Sequence, residues 1–227
     1  HGYEDRIVSE RIFKDKYWEP FETKILVSSL KNGHSFLDIG ANIGYFTILA
    51  AKIIGEQGFV YSFEPEPMNF RLMLKSLSYN KLSNRVKAMR IALSNRDSEG
   101  KLYLSTDNFG DHQLHPDDGD RNSISVTLRH GAGLLLDDLR GINFIKIDTQ
   151  GSEYEVLDGL MPTLLGLPAP PRMLIEVTPY SLSVAGSSGE DLINLLRKLR
   201  ARLSIVDHIN HELIPSSADQ LCTWCQN

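Results

Sequence analysis

The chain has 227 residues, a net charge of −5, 41% hydrophobic residues and 23% charged ones. That length supports one well-cored α/β domain and is short for two. The acidic balance and the lack of a basic–aromatic stripe argue against a nucleic-acid partner. No apolar run approaches the ~20 residues of a membrane helix, and nothing resembles a signal peptide. A cytoplasmic protein without membrane insertion is therefore expected. The first residue is His1 rather than Met, which leaves room for upstream domains or partner enzymes of a biosynthetic pathway.

Residues 1–30 read as a helical leader and 31–227 as the main domain. In the leader, Trp18-Glu19-Pro20-Phe21 is a loop into a helix over 22–30, with Pro20 suited to a first helical position. Ser35 to Asp38 is the end of a buried strand. A glycine turn follows, Gly40-Ala41-Asn42-Ile43-Gly44, and then an apolar helix from about Tyr45 to Ile54. Strand two is 59–63, Pro65 and Pro67 mark its exit, and 69–79 has helical periodicity in Phe70, Met73, Leu74 and Leu77. Strand three spans 86–93, with a polar turn at 94–97 and a further strand over 100–105.

Residues 107–121 are the most polar stretch, and a loop of that length is usually functional or disordered. Its part around Asp117, Asp118 and Asp120 suggests disorder; Asn108 to His112 suggests order. A strand over 123–128 and a short amphipathic element over 134–139 come next. Phe144 to Asp148 is a core strand, turned by Gly151 into a helix over 152–160 that Pro162 closes. A proline-rich connector, a strand over 173–177, a loop over 186–189, a helix over 190–202 with a basic solvated face, and a strand over 203–206 complete the order. Cys222 and Cys225 form a C-x-x-C. A redox pair or half a zinc site is less fitting than two thiols in a final strand or tail, since zinc needs two further ligands.

Strands alternating with helices imply an α/β fold: a Rossmann-like, doubly wound, mostly parallel sheet with helices on both faces. Ligands of such sheets bind beyond the carboxyl ends of the strands, where the strand order reverses. Asp38, Glu64, Ala92 and Asp148 all fall at predicted strand ends, which points to a single pocket. Gly40 and Gly44 allow a sharp turn and close approach of a ligand. The helix beginning there is expected to aim unpaired N–H groups into the turn. A dinucleotide motif would need a middle glycine, which is Asn42 here, and no Gly-Lys-Ser/Thr follows for a triphosphate. Instead Asp38 precedes the turn and Glu64 ends the second strand, where an acid accepts hydrogen bonds from ribose hydroxyls. A ligand with a ribose, an ammonium and little negative charge suits two acids. S-adenosylmethionine is such a ligand, with Asp38, Gly40, Asn42, Gly44 and Glu64 as its contacts.

Three linked segments carry a family resemblance. Leu37-Asp38-Ile39-Gly40-Ala41-Asn42-Ile43-Gly44-Tyr45-Phe46-Thr47, Phe63-Glu64-Pro65-Glu66-Pro67 and Ile145-Lys146-Ile147-Asp148-Thr149-Gln150-Gly151-Ser152-Glu153 resemble, in order and spacing, the FkbM family of S-adenosylmethionine-dependent methyltransferases. The resemblance covers roughly Trp18 to Asp207. It implies a class I type methyltransferase fold and O-methylation, often of sugar hydroxyls in natural products or surface polysaccharides. It further implies that Ala92 lies by the adenine, that the leader crosses the pocket with Glu19 near the cofactor's amino-acid end, and that Asp148 faces the methyl group. The family's usual acid at position 150 is glutamine here.

A hydroxyl acceptor benefits from a nearby base. Asp148 is the first candidate, with the alternative that it caps the Gly151-Ser152 helix start. Glu176, His112 and Glu153 are the others, Glu153 also fitting as a first-turn acid. Lys146, two residues from Asp148 on one strand face, is placed to pair with it or to bind an acceptor oxygen. Asp and His in the 107–121 loop lack the spacing of a metal site, so no metal is expected. The acceptor is a small molecule or glycan. The rival readings are an NAD-dependent oxidoreductase and a non-catalytic nucleotide-binding module.

Overall fold

The structure is a computed structural model that describes residues 8–15, 17–105, 108, 110–115, 121–135 and 141–226. The acidic run at 117–120 and most of the 134–139 element lie outside the described residues. Two helices form the leader, α1 (Val8–Asp15) and α2 (Pro20–Ser29). There follow β1 (Ser35–Ile39), α3 (Tyr45–Ile54), β2 (Phe59–Phe63), α4 (Pro67–Tyr79), β3 (Val86–Met89), β4 (Ala92–Ser94), β5 (Ser98–Tyr103) and β6 (Ser123–His130). Then come α5 (Gly131–Leu135), β7 (Ile142–Ile147), α6 (Glu153–Leu164), β8 (Arg172–Ile175), α7 (Pro179–Val184), α8 (Gly189–Lys198), β9 (Leu203–Asp207), β10 (Glu212–Ser216) and α9 (Ala218–Cys225).

The central sheet has five strands in the order β3-β2-β1-β7-β8, all parallel. Its three central strands, β2, β1 and β7, are buried on both faces, so their side chains sort by parity. Phe36, Val60 and Phe144 face a layer with α2, α3 and α4. Leu37, Ile39, Phe63, Ile145 and Ile147 face a layer with α6 and α8. Phe36 and Phe144 are in ring contact, with centroids 5.9 Å apart. Each such buried side chain contributes about 1.5–3 kcal/mol of apolar transfer. The strand order reverses between β1 and β7, which opens the crevice at their carboxyl ends.

Several local readings change. The strand expected over 86–93 breaks at Arg90-Ile91: β3 stays in the central sheet while β4 joins a second sheet, β4-β6-β5, over its own cluster of Ala92, Leu102, Val126 and Leu128. Helix α4 begins at Pro67, two residues early, because Glu66 caps it by accepting from the Asn69 N–H at 2.6 Å. Helix α6 passes through Pro162 to Leu164; the proline sits in the last turn, where the loss of one hydrogen bond is tolerable. The strand at 203–206 pairs not with the central sheet but with β10, as an antiparallel ribbon. The two cysteines lie on α9, a helix with a Ser217–Gln220 capping box, rather than on a strand or tail. Both are free thiols. Among the described residues no helix is long and apolar enough to cross a membrane.

Candidate active site

A cavity of about 280 Å³ occupies the crevice, near the lower end of ligand-site volumes. Its walls come from the Gly40–Ile43 turn, the end of β2, β4, Asn108 and residues 110–114, the end of β7 and the leader. Of the residues named from sequence, Glu19, Gly40, Asn42, Glu64, Ala92, His112, Asp148 and Glu176 all line it. Asp38 and Gly44 do not.

Asp38 is corrected by parity. It alternates with Leu37 and Ile39, so its side chain enters the layer under α3, fully buried. There its Oδ2 accepts from Thr47 Oγ1 at 2.6 Å, and Thr47 Oγ1 lies 2.8 Å from Ser62 Oγ. Burial pushes its pKa up against the pull of Lys146 and the Thr47 hydrogen bonds. Asp38 ties β1 and β2 to the first turn of α3 and stands behind the turn. Gly44 is needed for packing: its φ is 87°, and a Cβ there would lie 2.6 Å from Met73 Cγ of α4. Gly40, at φ 77°, meets backbone instead, since a Cβ would overlap the Asp148 carbonyl oxygen across the switch point.

The turn's amides are also not aimed at a ligand as expected. Gly40 and Ala41 N–H both donate to the Phe63 carbonyl, at 3.0 and 2.9 Å, and Gly44 N–H donates to the Ala41 carbonyl at 2.9 Å. Asn42 N–H donates to Glu64 Oε2 at 2.7 Å, and Ile43 N–H to Asn42 Oδ1 at 2.6 Å. A phosphate would find these five donors already used. Glu64 also accepts from the Glu66 N–H at 2.9 Å. Its burial raises its pKa to about 8 despite both backbone bonds.

At the other wall stands a polar chain. Lys146 Nζ donates to Asp148 Oδ2 at 2.6 Å and sits 4.9 Å from the Phe46 ring centroid. Gln150 Nε2 donates to Asp148 Oδ1 at 2.9 Å and to Glu176 Oε2 at 2.6 Å. Gln150 holds this bridge from a left-handed backbone, φ 54°, a conformation uncommon outside glycine. Burial works to raise the pKa of Asp148, but Lys146, Glu176 and Gln150 together hold it low. Burial and the Asp148 charge push Glu176 the opposite way. Glu176 keeps an exposed face, so solvent tempers the size of that push but not its direction. Across from them Glu19, in a left-handed conformation at the start of α2, has its pKa raised by burial to about 7. It lines the cavity.

Two base candidates have other work or tighter anchoring than expected. Glu153 is buried and gathers the Thr149 N–H, the Thr149 hydroxyl and the Gly151 N–H within 2.9–3.1 Å. It therefore holds the β7–α6 turn, the task considered for Asp148. His112 lines the cavity with Nδ1 accepting from the Ser105 N–H at 3.1 Å. The loop it belongs to is pinned by Arg121 on Asp111 at 2.9 Å. Sequence reasoning missed Trp18, Asn69 and Ser152 in the lining. Asn69 follows the Glu66 cap, and the buried Ser152 hydroxyl has no hydrogen-bond partner among the described residues.

The fold is Rossmann-like, of the class I methyltransferase type. Its family is given by the methyltransferase FkbM domain, whose model matches residues 38–203, and the chain belongs to that family. Methyltransferase 1 of Beauveria bassiana (strain ARSEF 2860) is 24% identical over 177 residues, covering 69% of this chain and 68% of that protein. A solved FkbM methyltransferase from Methylobacillus flagellatus KT is 18% identical with a TM-score of 0.48, covering 68% of this chain. This chain spans only 38% of the length of that protein. A proposed rRNA-methylase from Clostridium thermocellum shares the fold, with a TM-score of 0.52, 13% identity, and coverage of 86% of this chain and 90% of that one.

Proposed function

We propose that the chain binds S-adenosylmethionine in this cavity and methylates a hydroxyl of a sugar, glycan or natural-product small molecule. The observation that carries the cofactor is the pairing of spent turn amides with a carboxylate-rich lining. Glu19, Glu64, Asp148 and Glu176 face the cavity with Lys146 among them. Such a lining suits a cationic nucleoside and disfavours a pyrophosphate, which counts against the NAD reading. When bound, the cofactor supplies a methyl group made electrophilic by its sulfonium. Glu64 holds the ribose hydroxyls, Ala92 and Leu93 offer a small apolar wall to the base, and Glu19 meets the ammonium.

The remaining work is alignment and dryness, since an in-line displacement needs the acceptor oxygen held near ~3–3.5 Å of its target. Asn108 and residues 110–114, where Gly110 approaches Val8 of the leader and Asn42 of the turn, cover the cavity and exclude water. The Asp148–Glu176 side is where an acceptor hydroxyl would lose its proton. A thermal-shift comparison tests the cofactor: S-adenosylhomocysteine raises the Tm and NAD does not. Stabilisation by NAD alone would return the oxidoreductase reading.

A further inference from the structure

Asp148 and Glu176 are two carboxyl groups on neighbouring strand ends, and the structure treats them unequally. Both oxygens of Asp148 have donors: the Lys146 ammonium on Oδ2 and the Gln150 amide on Oδ1. An acid so tied to a buried cation stays ionised and is a weak proton acceptor. Glu176 is joined to the same group through an uncharged amide, since Gln150 Nε2 donates to both carboxyl groups. Two like charges bridged by one nitrogen do not ionise independently, so the carboxylate without the ammonium binds a proton more tightly and is the stronger base of the two. The charged groups facing Glu176 are Asp148, Lys146 and Glu153, with Glu19 beside Lys146 and Asp148. Glu176 also follows β8 at the cavity edge with an exposed face, where an acceptor can reach it.

We propose that Glu176 takes the proton of the acceptor hydroxyl, that Gln150 positions it, and that Asp148 is the fixed anion that keeps it basic. The proposal rests on the hydroxyl-methylating reading above. As the acceptor oxygen bonds to the methyl carbon, the carbon–sulfur bond breaks with its electron pair on sulfur. The O–H proton moves to the Glu176 carboxylate and from there to solvent. Position 150 then has a specific role. Its amide donates to both acids at once, which a carboxylate could not do.

The test uses the full chain labelled with ¹³C at glutamate carboxyl carbons, titrated by NMR with S-adenosylhomocysteine present. The Glu176 signal is assigned by its loss in Glu176→Gln. It is expected to titrate at least about one pH unit above the ordinary glutamate value of about 4.3, and to move higher still in Gln150→Glu. Titration in the ordinary range, or no response to Gln150→Glu, would overturn the proposal. A second arm measures S-adenosylhomocysteine affinity. Glu176→Gln should weaken it less than Glu64→Ala does; an equal or larger loss would reassign Glu176 to the cofactor. Failure of the wild type to bind S-adenosylhomocysteine would strike the cofactor reading instead, and is seen independently of the Glu176 signal.

Discussion

The two walls of the cavity are built from different material. On the β1–β2 side the chain holds itself by backbone: turn amides close on carbonyls and on Glu64, and Gly40 lets the turn touch the Asp148 carbonyl. On the β7–β8 side the geometry is held by side chains, in the run Lys146, Asp148, Gln150, Glu176. A wall made of main chain tolerates few sequences and suits an invariant ligand. A wall made of side chains can be rewritten one residue at a time, as Gln150 illustrates.

The difference can be broken most severely at its hinge. Gly40→Ala should cost more than about 4 kcal/mol, at the upper end of single-site effects, because both the left-handed φ and a backbone atom oppose it. Loss of cooperative unfolding or of soluble protein would register it. Gly44→Ala opposes only a flexible methionine in addition to its φ, and should cost less, about 1–3 kcal/mol. Equal costs at the two glycines would contradict the assignment of Gly40 to the switch point.

On the side-chain wall, Lys146→Met keeps the packing over Phe46 but leaves the half-buried Asp148 without its cation. Breaking a fully buried pair costs about 3–5 kcal/mol; the partial exposure of Asp148 puts this one below that range, still measurable by denaturant unfolding. The cost should shrink when Asp148→Asn is added. Costs that merely add would mean that the pair is not coupled.

The smaller effects are in pH. Glu64 has a folded pKa raised to about 8, so the native state binds more protons than the unfolded one between its ordinary value and that pH. Its stabilising contribution is full below the ordinary glutamate range and is lost as pH rises through about 8. In Glu64→Gln the stability of the ligand-free protein should therefore fall less steeply over that window. Glu19, raised to about 7, must be ionised to attract an ammonium. Affinity for S-adenosylhomocysteine should tighten as pH rises through neutrality, and Glu19→Gln should flatten that rise. An unchanged profile would remove Glu19 from the ligand's amino-acid end.

The main-chain wall could be read from sequence because each of its demands names a residue: glycine where φ is positive, an acid where β2 ends. The central strands announced themselves as apolar runs. Asp38 was misplaced although its parity with Leu37 and Ile39 carried the answer; proximity to the turn outweighed alternation. Glu153 and Asp148 could not be told apart, since both stand near a helix start and only the closing of the Thr149–Gly151 turn decides which carboxylate it consumes. Strand β10 and helix α9 gave weak signals because Leu213, Ile214 and Trp224 are exposed, and no buried stripe marks them. Trp18 and Asn69 reach the cavity through tertiary packing alone.

The most direct test of the account is calorimetric titration of S-adenosylhomocysteine into the wild type and into Glu64→Ala. The account predicts saturable binding to the wild type, weakened in the variant by about 1–3 kcal/mol as the ribose loses its hydrogen-bond acceptor. No binding to the folded wild type, or equal binding to both proteins, would contradict it.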